Sequence, residues 1–179
     1  MGKIVIYSVL AAFLVVAAVI TIGALLPKKH VVARAISLHR SPQEVFSLIS
    51  DFREAPSWRH GVEQITLLSP TQGRARYVEK SKDGTITMEV RENRPPTRLV
   101  TEIADESLPF GGLWIFEVTP ASGGCTLQIT ERGEIYNPFF RFVSRFILGY
   151  QKTMDTYLAD VASHFHEQST PANAVPADL

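Results

Sequence analysis

From Ile4 to Leu26 the chain carries no charged residue and almost no polar one, and beyond Pro27-Lys28-Lys29 the pattern changes to short alternating stretches. A run of about 23 residues, at ~1.5 Å rise each, is long enough to cross a hydrocarbon core of about 30 Å. Its least apolar members are Tyr7, Ser8, Thr21 and Gly23. The run predicts one transmembrane helix over 4–26, behind a short flank at 1–3. A cleaved secretory signal is the competing reading, but its apolar region is about 7–15 residues and ends at a small-x-small site. Ala33-Arg34-Ala35 has that form and lies behind two lysines, well past the apolar segment.

After the anchor, Val32, Ile36 and Leu38 alternate and predict a first strand over 30–39. Ser41-Pro42-Gln43-Glu44 then has the form of a capping box with proline at the first helical position. Val45, Phe46, Leu48, Ile49 and Phe52 follow at helical spacing, and Pro56 stops continuation ahead of Trp58. From Gly61 the period becomes two. Turn clusters at 69–73, 82–84, 93–96, 108–112 and 121–124 divide this region into six strands. Connections this short imply antiparallel neighbours, hence a meander. One face collects Ile86, Met88, Val90, Leu99, Ile103, Trp114, Phe116, Val118, Leu127, Ile129 and Ile135; the other is richer in Thr, Glu, Gln and Arg.

Asn137-Pro138 predicts a final helix start. Phe139, Phe142, Phe146, Tyr150, Met154, Tyr157, Val161 and Phe165 then form an apolar stripe in steps of three and four, predicting one helix of about seven turns laid across the inward sheet face. The Pro/Ala-rich segment 169–179 reads as a disordered tail, which leaves one domain at 30–168.

Eighteen basic and eighteen acidic residues cancel, and no basic stripe interleaved with aromatics is present, which argues against nucleic acid as a partner. The single cysteine, Cys125, excludes an intrachain disulfide framework. Lys28, Lys29, Arg34 and Arg40 lie on one side of the apolar run, against Lys3 and the terminal amine on the other. The positive-inside bias therefore favours a single-pass cell-membrane protein with a cytoplasmic C-terminal domain, although a translocated domain can override that bias.

The order of strand, short helices, six strands and long C-terminal helix resembles the START-like, or SRPBCC, superfamily with its helix-grip fold, and most of all its polyketide cyclase/dehydrase and lipid-transport branch. The resemblance runs from about His30 to Phe165. It is carried by Ser41-Pro42-Gln43-Glu44-Val45-Phe46, Asp51 followed by Pro56 and Trp58, Leu108-Pro109-Phe110-Gly111-Gly112, Gly123-Gly124-Cys125-Thr126-Leu127, and Thr130-Glu131. It implies an α+β domain in which a curved antiparallel sheet wraps a long helix, with a hollow between them for lipids, sterols, polyketides or other apolar molecules. It does not imply one chemistry, since members include carriers, enzymes and chaperone regulators.

On that frame, Trp114 and Phe116 on the inward strand face and Phe142, Phe146 and Tyr150 on the facing helix either line a cavity or fill the core. Met88 and Tyr77 stand in similar positions, and Tyr77 adds a hydroxyl able to orient a ligand's polar end. Glu131 and Glu79 fall in register with inward residues. An inward carboxylate needs a partner or a wet pocket. Glu131 is thus the candidate to hold a ligand hydroxyl or to act as general acid or base; the alternative is a strand-end residue paired to a surface arginine. Leu108, Pro109, Phe110, Gly111 and Gly112 have the composition of a gate with an apolar tip, or of a loop packed on the helix. His60 is a lone loop histidine, and His164 and His166 point in different directions, so no metal is expected. The absence of a phosphate loop, a dinucleotide fingerprint and a Gly-x-Ser-x-Gly motif predicts no cofactor.

The leading expectation is a membrane-anchored carrier or binder of a lipid or lipid-like molecule. A cyclase or dehydratase using Glu131 is the alternative. A membrane-tethered interaction adaptor is the third, favoured if packed aromatics fill the cup.

Overall fold

The computed structural model describes residues 2–179. Of the flank expected at 1–3, Met1 lies outside the described residues, while Gly2 opens the first helix. That helix, α1 (Gly2–Leu25), contains the one segment among the described residues long and apolar enough to cross a membrane, Val5–Leu25, which is largely exposed apart from the buried Gly23 near its end.

Eight strands follow in one curved antiparallel sheet: β1 (Lys29–Leu38), β2 (Val62–Thr71), β3 (Arg74–Ser81), β4 (Gly84–Arg94), β5 (Arg98–Ile103), β6 (Phe110–Ala121), β7 (Gly124–Ile135) and a two-residue β8 (Ala172–Asn173). Their spatial order is β2-β3-β4-β5-β6-β7-β1-β8, so the expected six-strand meander is present, with β1 returning to pair with β7. Between β1 and β2 run α2 (Pro42–Ser50), a 3-10 turn (Phe52–Glu54) and α3 (Ala55–Trp58). The capping box forms as the sequence requires. The Ser41 hydroxyl accepts from the Glu44 amide at 3.3 Å, and the Glu44 carboxylate accepts from the Ser41 amide at 2.9 Å. Pro56 does not end this region; it sits in the first turn of α3 and helps to start it.

The concave face buries Leu99, Phe116, Val118, Leu127 and Ile129 against Val45, Phe46 and Ile49 of α2 and Met154, Leu158 and Val161 of the last helix. Each such side chain contributes about 1.5–3 kcal/mol of transfer free energy.

Two segments depart from the sequence reading. The expected seven-turn helix is three pieces: α4 (Pro138–Val143), a π turn (Ser144–Leu148) and α5 (Lys152–His164). Gly149, at φ 75°, takes a positive-φ conformation that ends the π turn and breaks the helix before α5. The stripe is therefore split, with Met154, Tyr157 and Val161 buried and Phe139 and Phe146 exposed.

The C-terminal segment, expected to be disordered, instead lies on the outer face of the sheet. Thr130 Oγ1 accepts from the Ala177 amide at 2.9 Å, Gln128 donates to the Val175 carbonyl at 2.8 Å and Arg132 to the Ala177 carbonyl at 2.8 Å. Gln128, Thr130 and Arg132 alternate along β7, so they present one ladder of polar groups to the tail's backbone. Ala177 also closes a small apolar cluster of Val100 and Ile115, packed by Leu113, which the outer face would otherwise expose. A chain ending at Gln168 is expected to lose on the order of 2 kcal/mol in urea unfolding, from uncovered apolar area and lost hydrogen bonds. An unchanged midpoint would mean that the tail is a passenger.

Candidate functional site

β6 and β7 pair Trp114 with Glu131, and β1 lays Val32 against Glu131 and His30 against Gly133. This register brings four side chains together at one end of the concave face. The Trp114 indole donates to Glu131 Oε2 at 2.8 Å, His30 Nε2 lies 2.8 Å from Glu131 Oε1, and the imidazole stacks on Tyr150 at 4.0 Å between ring centres, 17° from parallel. The His30 and Glu131 side chains are 13% and 19% exposed. Gly133 makes the arrangement possible, because a Cβ there would collide with the imidazole ring. Glu131 thus points inward, as the alternation predicts, and its partners are an indole and a histidine rather than an arginine.

Tyr157 occupies the middle of the cup. Its ring meets Trp114 at 5.7 Å, Phe116 at 5.4 Å and Trp58 at 5.4 Å. Trp58 Nε1 is buried and has no hydrogen-bond partner among the described residues.

At the far end, Arg59 forms two hydrogen bonds to Glu79, at 2.6 and 3.0 Å, and its guanidinium stands 5.0 Å over the Tyr157 ring. Burial is the largest single influence and would lower the Arg59 pKa, but the charge and hydrogen bonds of Glu79 together with the Tyr157 and Tyr77 phenols outweigh it and hold the guanidinium above its ordinary value. Tyr77 is buried, stacks on Phe52 at 4.3 Å and pairs with Met88 across β3 and β4. Burial first, and the Glu79 carboxylate second, push the Tyr77 phenol well above its ordinary range. Burial does the same to Tyr157, against the opposing pull of Arg59. Both phenols are therefore neutral donors throughout the physiological range. Nearby, the His60 amide donates to Asp160 Oδ2 at 2.7 Å and its Nδ1 contacts Oδ1, so the lone loop histidine has a buried carboxylate partner.

The remaining candidates fall elsewhere. Phe142 and Phe146 pack on each other at 5.0 Å, and Phe146 is 59% exposed. Neither belongs to the buried cluster that contains Phe116 and is packed by Trp114. Of the expected gate, Leu108 and Pro109 remain in the turn, while Phe110, Gly111 and Gly112 are zipped into β6 against Ile135, Glu134 and Gly133. Gly112 serves close packing rather than hinging, since a Cβ there would meet the Arg132 carbonyl. Two open depressions, of about 610 and 560 Å³, lie on the outer side of α5 and are lined by none of Trp114, Phe116 and Tyr157.

Sequence reasoning did not single out His30, Arg59 or Tyr157 as site residues. His30 alternates with Val32 and so shares the inward face, a signal present in the strand pattern. Arg59, beside Trp58 in a turn, offers no such periodicity. Tyr157 lies in the recognised stripe, indistinguishable there from core.

A family described as polyketide cyclase / dehydrase and lipid transport matches residues 29–165. No curated protein matches the chain by sequence. Among solved structures, a START superfamily protein from Mycobacterium smegmatis is similar at 14% identity and TM-score 0.60, over 76% of this chain and 97% of its own. Norcoclaurine synthase from Thalictrum flavum is similar at 10% identity and TM-score 0.61, over 78% and 88%. The di-domain ARO/CYC BexL of the BE-7585A biosynthetic pathway is similar at 12% identity and TM-score 0.63, over 83% of this chain and 54% of BexL. At these identities the likeness is one of fold.

Proposed function

Because the chain belongs to the polyketide cyclase/dehydrase and lipid transport family over residues 29–165, we propose that it binds a lipid or other apolar small molecule between sheet and α5, while α1 holds it in a membrane. The observation that carries the reading is the Trp114–Glu131–His30 cluster: a half-buried polar triad set among aromatic rings at one end of the cup, separated by the apolar middle from the Arg59–Glu79 pair at the other. Such a cluster suits the polar end of an amphiphile, whose chain would lie along Trp114, Phe116 and Met88. Trp58 Nε1 adds a buried donor for an acceptor oxygen deeper in. Tyr157 stands in the ligand's path, so binding requires its ring to swing aside.

The enzymatic alternative draws on the cyclase-like fold. Both Glu131 oxygens are already engaged, which suits an orienting group better than a free base. The adaptor reading draws on the packed Tyr157, and it predicts that no ligand is held.

Native mass spectrometry of the full chain released from detergent is expected to show a co-purified apolar molecule. Glu131→Gln, which keeps the indole's acceptor and weakens the histidine bond, is expected to cut its retention about tenfold, or ~1.4 kcal/mol. A protein that is empty and displaces no fluorescent fatty-acyl probe would favour the adaptor.

A further inference from the structure

Between the sheet and α5 the chain exposes a run of large apolar side chains whose rings pack on one another, Phe139 on Phe140 and Phe146 on Phe142, and that lie outside the buried core. Phe139, Phe140, Phe146, Ile147 and Leu148 are 48%, 44%, 59%, 68% and 58% exposed. They belong to α4 and the π turn, and α4 is seated on the C-terminal end of α1. Gly23 lies directly against the Pro138 carbonyl, closely enough that a Cβ would overlap it. Arg141, itself buried, donates to the Leu26 carbonyl at 2.8 Å and the Ala24 carbonyl at 3.3 Å. A cation on the last carbonyls of a helix satisfies acceptors that the helix cannot, and complements its dipole.

The exposed run is therefore continuous with the apolar surface of α1. Basic side chains stand beside it, with Lys28 and Lys29 at the exit of α1, and Arg145 and Lys152 within and just after the run; all four are exposed. Apolar rings with long cations at their edge match the boundary of a bilayer, where acyl chains meet anionic headgroups.

We propose that residues 139–148 are a second membrane contact, buried in the headgroup region of the same leaflet that α1 leaves. Arg141 and Gly23 lock this segment to α1, so the domain is docked at a fixed orientation rather than hung from a tether. This rests on α1 spanning the bilayer, as proposed above. The arrangement also puts Tyr150, two residues past Leu148 and stacked on His30, at the lipid-facing end of the cup.

The test uses the full chain in vesicles of phosphatidylcholine and anionic phosphatidylglycerol, with an environment-sensitive NBD label on a single introduced cysteine. Native Cys125 is 1% exposed, and the unsubstituted chain measures its background labelling. Positions are Phe140→Cys and Ile147→Cys in the segment, Val15→Cys in α1 and Asp83→Cys in the distant β3–β4 turn. With brominated phosphatidylcholine, labels at 140, 147 and 15 are expected to be quenched about twofold or more beyond the label at 83, with blue-shifted emission. Quenching at 15 but at neither 140 nor 147 would overturn the second contact and leave the anchor standing. Quenching at none of the three would remove both readings. A blue shift at 140 and 147 that brominated lipid does not quench would mean that protein, such as a second copy, covers the segment, and would also overturn the proposal.

Discussion

Arg59→Met is expected to destabilise the domain by about 3 kcal/mol, at the low end of the cost of stranding a buried partner because some solvent reaches the pair. Glu79 is 18% exposed and its two oxygens are held by this one guanidinium. Without Arg59 the carboxylate faces Tyr77 and Tyr157 with no cation, and it must take up a proton or draw in water. Urea unfolding of the detergent-solubilised chain measures the loss. The double change Arg59→Met with Glu79→Leu is expected to recover most of it, because apolar side chains of similar volume fill the space without desolvating charge. Equal losses in the single and double variants would show that the pair acts through packing alone.

Tyr157→Ala is expected to cost about 3–5 kcal/mol, the range for removing a buried aromatic. The ring touches Trp114, Phe116 and Trp58 and supports the Arg59 guanidinium, so little of the gap can close. The same variant is expected to bind an anilinonaphthalene dye that the parent excludes, because the hollow it opens is apolar and lies in the middle of the cup. A milder variant separates the phenol from the ring. Burial raises both Tyr157 and Tyr77 above the ordinary phenol value, so the folded chain keeps protons that the unfolded chain sheds. Stability from this source is complete below about pH 10 and falls as pH rises beyond it. Tyr157→Phe is expected to reduce the steepness of that alkaline loss. An identical alkaline profile would mean that Tyr157 ionises as freely folded as unfolded.

Much of the fold was legible because local and global signals agree. The Ser41–Glu44 box, the turn clusters and the alternation from Ile86 to Ile135 each require the structure found, and the inward registers of Glu79 and Glu131 follow from a strict period of two. The interrupted final helix was less legible. Phe139 to Phe165 fits helical spacing throughout, and only Gly149 within it signals a stop; an isolated glycine inside a helical pattern is usually tolerated. The C-terminal segment was misread for a different reason. Its composition cannot form a core, but it needs none, since Gln128, Thr130 and Arg132 bond its backbone rather than its side chains. Arg59 and His30 acquire meaning only through partners 20 and 101 residues away, which no local pattern encodes.

Leu26, Pro27, Lys28 and Lys29 are all that separate α1 from His30, and this joint is itself pinned, since the Lys28 carbonyl accepts from the Ile135 amide at 2.9 Å. The connection has no slack. The His30–Glu131 pair is thus held to the end of α1 through β1, so the end of the cup that carries it and the apolar helix are set relative to each other by backbone pairing and not by a linker.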